Sequence, residues 1–291
     1  MNVRAPQLPK LRDQTLRFLD DPQSALRSGT SSGIQPGLDA LASQLRAADL
    51  YWVTEDMAAL AVSAGSQLAA ARWTVADRPS PIGLAMFDGG ISTIDARGAQ
   101  IPVEGVAWGP YDGECMVWLL LSRRRLIAEM TRTDIQLIEE ETPPLIPVYG
   151  FTIPLTGEAL PMAELDVGDC PLIVMQALAA SWLLMQQPNL VERATLPADK
   201  TVARSYRRAQ RPVPDVTLVD LRRHYVPDTA EPNGDGAGSR YRHRWVVSGH
   251  WRDQAHGPGR SLRRRTWVPT YVKGPDGAPL LVAEKVNVWR R

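Results

Sequence analysis

The segment from Tyr241 to Trp267 gathers the side chains best suited to chemistry on a phosphodiester. His250 and His256 carry imidazoles that exchange a proton near neutral pH, and Arg252, Arg260, Arg263, Arg264 and Arg265 carry planar guanidinium forks that hold two phosphate oxygens at once. A metal-independent ribonuclease needs a base for the 2′-hydroxyl, an acid for the leaving oxygen, and cations for the charge that develops on phosphate. His250 together with Arg252, His256 and Arg260 can supply those roles and are the candidate catalytic groups. A histidine that only hydrogen-bonds phosphate leaves the same signature, so binding without catalysis is the competing reading.

Such residues need an element that turns them one way. Alternation predicts a strand over Tyr241 to Arg252, in which Tyr241, His243, Trp245, Val247 and Trp251 share a row with Gly249. Arg242, Arg244, Val246, Ser248, His250 and Arg252 form the other row. With the aromatic row inward, three guanidinium groups crowd around His250 on the outside, and an anionic partner relieves that crowding. Gly257-Pro258-Gly259 then marks a turn at which backbone amides can approach a phosphate. Arg263-Arg264-Arg265 within the next strand puts charge on both faces. Trp251, Trp267, Tyr271 and Trp289 interleave with these cations and Lys273, either as core or as platforms on which unpaired bases stack. Upstream, Lys200, Arg204, Arg207 and Arg208 gather along one side of a helix expected over 197–210, a second candidate phosphate-facing surface or a solvated face.

The charge distribution agrees. Residues 201–291 hold 18 Lys+Arg against 8 Asp+Glu, a balance of +10, while the remainder holds 15 against 24, or −9. Such asymmetry marks a region that meets a polyanion. All four histidines, His224, His243, His250 and His256, fall in the basic part. Cys115 and Cys170 lie 55 positions apart without a CxxC or Cys/His cluster, which predicts buried thiols and neither a disulfide framework nor a zinc site. Asp134 and Glu139-Glu140-Glu141 read as solvated loop carboxylates, so no metal and no cofactor is expected. Dinucleotide, Walker A, serine-hydrolase and zinc-protease motifs are absent. The residues Met1 to Pro6 lack the apolar core of a signal peptide, and the most hydrophobic run, Leu172 to Met185, is too short to span a bilayer, so a cytoplasmic, non-membrane protein is expected.

The expected fold class is α+β, in two domains. Residues 1–196 form an acidic α+β domain. Helices are predicted over 10–28, split or kinked at Pro22, over 37–48, and from Thr54 to Ala70 with Thr54 as its cap. Short apolar runs at Ile82 to Phe87, Ile101 to Trp108 and Met116 to Leu121 predict an antiparallel sheet, with a further strand at Leu145 to Pro154. Leu172 to Gln187, apolar nearly all round, predicts a central buried helix. Residues 197–291 form a basic, Trp/Arg-rich β domain, with strands at Val213 to Tyr225, Tyr241 to Arg252, Leu262 to Val272 and Leu280 to Trp289, read as antiparallel.

Arg244-Trp245-Val246-Val247-Ser248-Gly249-His250-Trp251-Arg252, followed by Gly257-Pro258-Gly259-Arg260, Arg263-Arg264-Arg265, Trp267-Val268-Pro269 and Lys273-Gly274-Pro275, resembles a C-terminal signature of uncharacterised actinobacterial, phage and plasmid proteins. The same block, about the last fifty residues, is similar to the end of a type V-A anti-CRISPR family whose members lower the effector's messenger in a translation-dependent way by recognising its nascent N-terminus. That resemblance implies a regulator of messenger RNA, encoded by a mobile element, with an N-terminal part that recognises protein and a C-terminal block near RNA or ribosome. It gives His250, Trp251, Arg252, Gly259, Arg260 and Trp267 a role. The preferred expectation is thus an RNA-binding regulator, with DNA as an alternative polyanion. The alternatives are a metal-independent endoribonuclease and a protein-interaction or structural phage component.

Overall fold

The computed structural model describes residues 4–68, 72–96, 99–130, 140–155, 160–161, 170–222, 244–273 and 280–281. Two compact units emerge, Met1–Tyr225 and Val226–Arg291. In chain order the first holds α1 (Leu8–Asp20), α2 (Ala25–Ser28), α3 (Gln35–Ala47), β1 (Asp49–Val53), α4 (Glu55–Gly65), β2 (Arg72–Trp73), β3 (Gly83–Phe87), β4 (Thr93–Ala96), β5 (Ala99–Pro102), β6 (Gly105–Tyr111), β7 (Glu114–Ser122), α5 (Arg123–Met130), β8 (Leu145–Pro154), β9 (Leu160–Pro161), α6 (Leu172–Met185), β10 (Val191–Leu196), α7 (Lys200–Arg208) and β11 (Val216–Leu221). The second holds β12 (Arg244–Val247), β13 (His250–His256), β14 (Leu262–Val268), β15 (Tyr271–Lys273) and β16 (Leu280–Leu281). The fold is α+β.

Seven strands of the first unit form one sheet in the order β10-β11-β1-β3-β6-β7-β8. The expected meander is there, since β3, β6, β7 and β8 pair antiparallel in succession. β1 departs from that pattern by running parallel to both β3 and β11. Its Leu50-Tyr51-Trp52-Val53 is buried throughout, as a strand covered on both faces requires. On one face α1 and α3 pack Leu16, Leu19, Leu38, Leu41 and Leu45 against Leu50, Trp52, Leu84 and Trp118. On the other, Trp108 of β6 meets Trp182 of α6 edge to face, with ring centroids 5.3 Å apart.

α6 explains its own sequence. Every residue from Val174 to Met185 is buried, which is why the helix has no polar side. It crosses α4 so closely that a Cβ on Gly65 would lie 2.7 Å from the Gln176 backbone. At the start of α4 the Thr54 hydroxyl makes no capping bond, contrary to expectation; it donates to Asp220 Oδ1 of β11 at 2.7 Å. Pro22 lies in the break between α1 and α2. Cys115 and Cys170 are buried free thiols, and burial pushes them up to about 11 and about 12 respectively. Among the described residues no helix is long and apolar enough to cross a membrane.

The expected boundary at 196/197 moves to 225/226, because α7 and β11 are built into the first unit. β11 inserts between β10 and β1, and Val202 and Tyr206 of α7 are buried, with Arg12 Nη2 donating to Tyr206 Oη at 2.7 Å. Charge groups this segment with the C-terminus, while apolar packing and backbone pairing hold it here. The single strand expected over Tyr241 to Arg252 also breaks, at Ser248-Gly249, into β12 and β13, which belong to different sheets. β12 pairs antiparallel with β15 and parallel with β16, and β13 pairs antiparallel with β14.

Candidate nucleic-acid interface

The β13–β14 hairpin carries most of the candidate side chains. Each of its seven cross-strand pairs, from His256↔Leu262 out to His250↔Val268, is equidistant in sequence from Gly259, so the turn sets the register. That turn needs left-handed backbone: φ is +75° at Gly257, +61° at Gly259 and +57° at Arg260. Pro258, Arg260 and Leu262 are exposed there, Leu262 at 53%.

Alternation then sorts the residues onto two faces. One face carries Trp251, Asp253 and Ala255 with Arg263, Arg265 and Trp267. Trp267 is only 4% exposed and lies edge to face with Trp251, their centroids 5.3 Å apart. A Cβ on Gly249 would meet the Trp267 ring at 2.6 Å, so the indole occupies the space that the glycine leaves. Trp267 is therefore core and not a platform for bases. Arg265 grips Asp253 with two bonds, Nε at 3.0 Å and Nη2 at 3.1 Å. Hydrogen bonding from Arg265, with added attraction from Arg265 and Arg263, holds the Asp253 carboxyl below its ordinary value. Arg265 is thus neutralised within the chain and leaves the set of anion contacts. Arg263 leans on the same carboxylate electrostatically and donates to the Arg260 carbonyl at 3.3 Å.

The opposite face carries His250, Arg252, Gln254 and His256 with Leu262, Arg264, Thr266 and Val268. It bears no carboxylate. Arg252 and Arg264 are exposed on it and, like Arg260 at the tip, have no acidic partner among the described residues. The two guanidinium stems stand diagonally across the strand pair, with Cβ atoms about 7 Å apart by strand geometry. Two like charges that close repel, and an anion between them reverses the sign.

The histidines share this face but not one site. His250 and His256 stand at opposite ends of β13, and six residue steps along the strand separate them by about 20 Å. An acid and a base acting on one phosphodiester must both lie within hydrogen-bond reach of it, so the expected His250/His256 catalytic pair is not assembled. His250 Nδ1 bonds the Ser248 carbonyl at 3.0 Å; a carbonyl only accepts, so Nδ1 donates and Nε2 is left for another partner.

The remaining candidates are dispersed. Arg204, Arg207 and Arg208 are exposed on α7, in the first unit. Arg244 and Lys273 are described only as backbone positions of β12 and β15. Arg242, with Tyr241, His224, His243 and Trp289, lies outside the described residues, as do Asp134 and Glu139. Glu140 and Glu141 are exposed. Among the described residues no group of three or more His, Cys, Asp or Glu is placed to hold a metal.

One concavity is announced by no motif in the sequence. A cavity of about 420 Å³ lies at the carboxyl ends of β1 and β3, lined by Trp52, Met86, Phe87, Glu104, Arg123 and Leu145 among others. Two of the charges there have partners in the same unit, since Arg125 bonds Glu104 Oε1 at 3.2 Å and Arg123 donates to the Thr142 carbonyl at 2.7 Å, while Glu104 Oε2 is buried without a hydrogen bond. It forms only when strands distant in sequence converge, which leaves no local pattern to find. No family model matches this chain, and no curated protein shows significant similarity to it.

Proposed function

We propose that the Val226–Arg291 unit binds nucleic acid through the Arg252/Arg264 face of its hairpin, and that the protein is a nucleic-acid-binding regulator. The observation that carries this reading is the segregation of charge. The hairpin's one acid, Asp253, serves Arg265 and Arg263 on the Trp face, while Arg252 and Arg264 face outward with none. A polyanion supplies what that face lacks. The resemblance of the C-terminal motif favours RNA as that polyanion, with DNA as the alternative. The geometry supports contact with a polyanion and gives catalysis no shared site for its acid and base.

The test is the salt dependence of binding, read by fluorescence anisotropy with labelled nucleic acid and the full chain. Each phosphate neutralised contributes about 0.9 to the slope of log affinity against log salt. Replacing both Arg252 and Arg264 by Ala should flatten that slope by about two and weaken binding at least about tenfold at moderate salt. A double variant that binds with the wild-type slope would remove this face from the interface.

A further inference from the structure

The geometry points to a specific partner for this face, and the inference rests on the nucleic-acid reading above: the hairpin enters the major groove of B-form DNA, with Arg252, Gln254, Arg264 and Thr266 toward the base edges. Binding of an unpaired strand needs aromatic rings exposed beside the cations. Here both tryptophans of the hairpin lie on the other face, Trp267 buried against Gly249 and Trp251 packed edge-on to it. The polar face has no ring of that kind at its centre. What it has is two cross-strand pairs in succession, Arg252 opposite Thr266 and Gln254 opposite Arg264.

That quartet matches groove chemistry. Arginine forks bind guanine O6 and N7, glutamine binds adenine N6 and N7, and the threonine methyl meets the thymine methyl. The set lacks a carboxylate, so nothing in it repels phosphates on the groove walls. Dimensions agree as well. Paired strands lie about 4.8 Å apart, and with side chains a two-stranded ribbon fits a groove about 12 Å wide. The major groove of A-form RNA is too deep and narrow to admit it. Strands of seven residues carry the exposed tip, with Pro258 and Arg260, about 20 Å beyond the Trp251/Trp267 base, enough to follow the groove past its rim.

The experiment uses the full chain and three probes of one mixed sequence, about 20 nucleotides long: duplex DNA, duplex RNA and single-stranded RNA, at one salt concentration. Duplex DNA should bind about tenfold tighter than either RNA. Bound protein should displace methyl green, a major-groove dye, and leave netropsin in the minor groove. Gln254→Ala keeps the charge, so it should keep the salt slope while affinity for duplex DNA falls about fivefold or more through the lost base contact. Equal affinity for all three probes, tighter binding to single-stranded RNA, or displacement of netropsin would overturn the groove inference and leave the nucleic-acid reading standing. Absence of binding to every probe would remove both.

Discussion

Arginine does opposite work in the two units. In Met1–Tyr225 several guanidinium groups latch the protein to itself: Arg12 reaches Asp13 and Tyr206, Arg27 reaches Asp39 and two backbone carbonyls, Arg125 reaches Glu104, and Arg211 reaches Asp13 while lying over the Tyr206 ring, whereas Arg204, Arg207 and Arg208 are exposed on α7. In the hairpin of Val226–Arg291, five arginines share a single carboxylate, and only Arg265 is gripped by it. The first unit has an apolar core large enough to hold its shape, with charges trimming its surface. The hairpin has two tryptophans and a turn, and a two-stranded ribbon that small is marginal in water by itself. Placing unneutralised cations on a ribbon that is marginal alone makes sense where a partner completes it.

The contrast can be broken at several points. The largest effect is expected in the first unit: Trp182→Ala removes a fully buried ring packed on Trp108 and should cost about 3–5 kcal/mol in urea denaturation. A loss below about 1 kcal/mol would show that this core is not tightly packed. Next, Gly249→Val in the C-terminal unit drives a side chain into the Trp267 ring and should destabilise the hairpin by about 1–3 kcal/mol, with loss of the near-ultraviolet dichroism of the Trp251/Trp267 pair. Unchanged dichroism would place Trp267 elsewhere.

The smallest effect is the sharpest. Asp253→Asn breaks an exposed ion pair and should cost under about 1 kcal/mol, but the Arg265 it frees lies on the face opposite Arg252 and Arg264, so the salt slope of nucleic-acid binding should stay as in the wild type. A slope steeper by about one would mean that Arg265 reaches the ligand and that the two faces do not divide the work. The same pair sets an acid response. Because the folded Asp253 titrates below its ordinary value, its contribution to stability is fully present above that value and is lost as pH falls through the lower, folded one. Tryptophan fluorescence should therefore report loosening of the hairpin below the ordinary carboxylate range, and Asp253→Asn should lack that transition.

Much of this is legible in the residues. Strand β8 matches the run Leu145 to Pro154 end to end, and α6 follows from a stretch apolar all round. The turn at Gly257-Pro258-Gly259 is visible too. Counting outward from Gly259 puts Asp253 across from Arg265, and that pairing alone is enough to withdraw the arginine from the interface. Three features are not legible, each for a physical reason. β1 is five residues between two helices, too short to show a period, and tertiary pairing on both sides defines it. Gly249 sits in an alternating row as if inside one strand, yet the missing side chain admits Trp267 and marks the break between sheets. Net charge puts the domain boundary too early, because it speaks to association and not to where a chain folds, and β11 is an apolar strand behind a basic helix.

The pairing of β1 with β11 dictates the order in which the protein can be made. Leu50 finds Val216, and the strands between which β1 is wedged come from residues 83–87 and 216–221. A ribosome must therefore deliver the chain as far as β11, about 165 residues beyond β1, before Asp49–Val53 has both neighbours. Until then one flank of Asp49–Val53 offers free amides and carbonyls to any passing chain, which makes a product cut short ahead of residue 216 a candidate for aggregation and the closing of this sheet a slow step in folding.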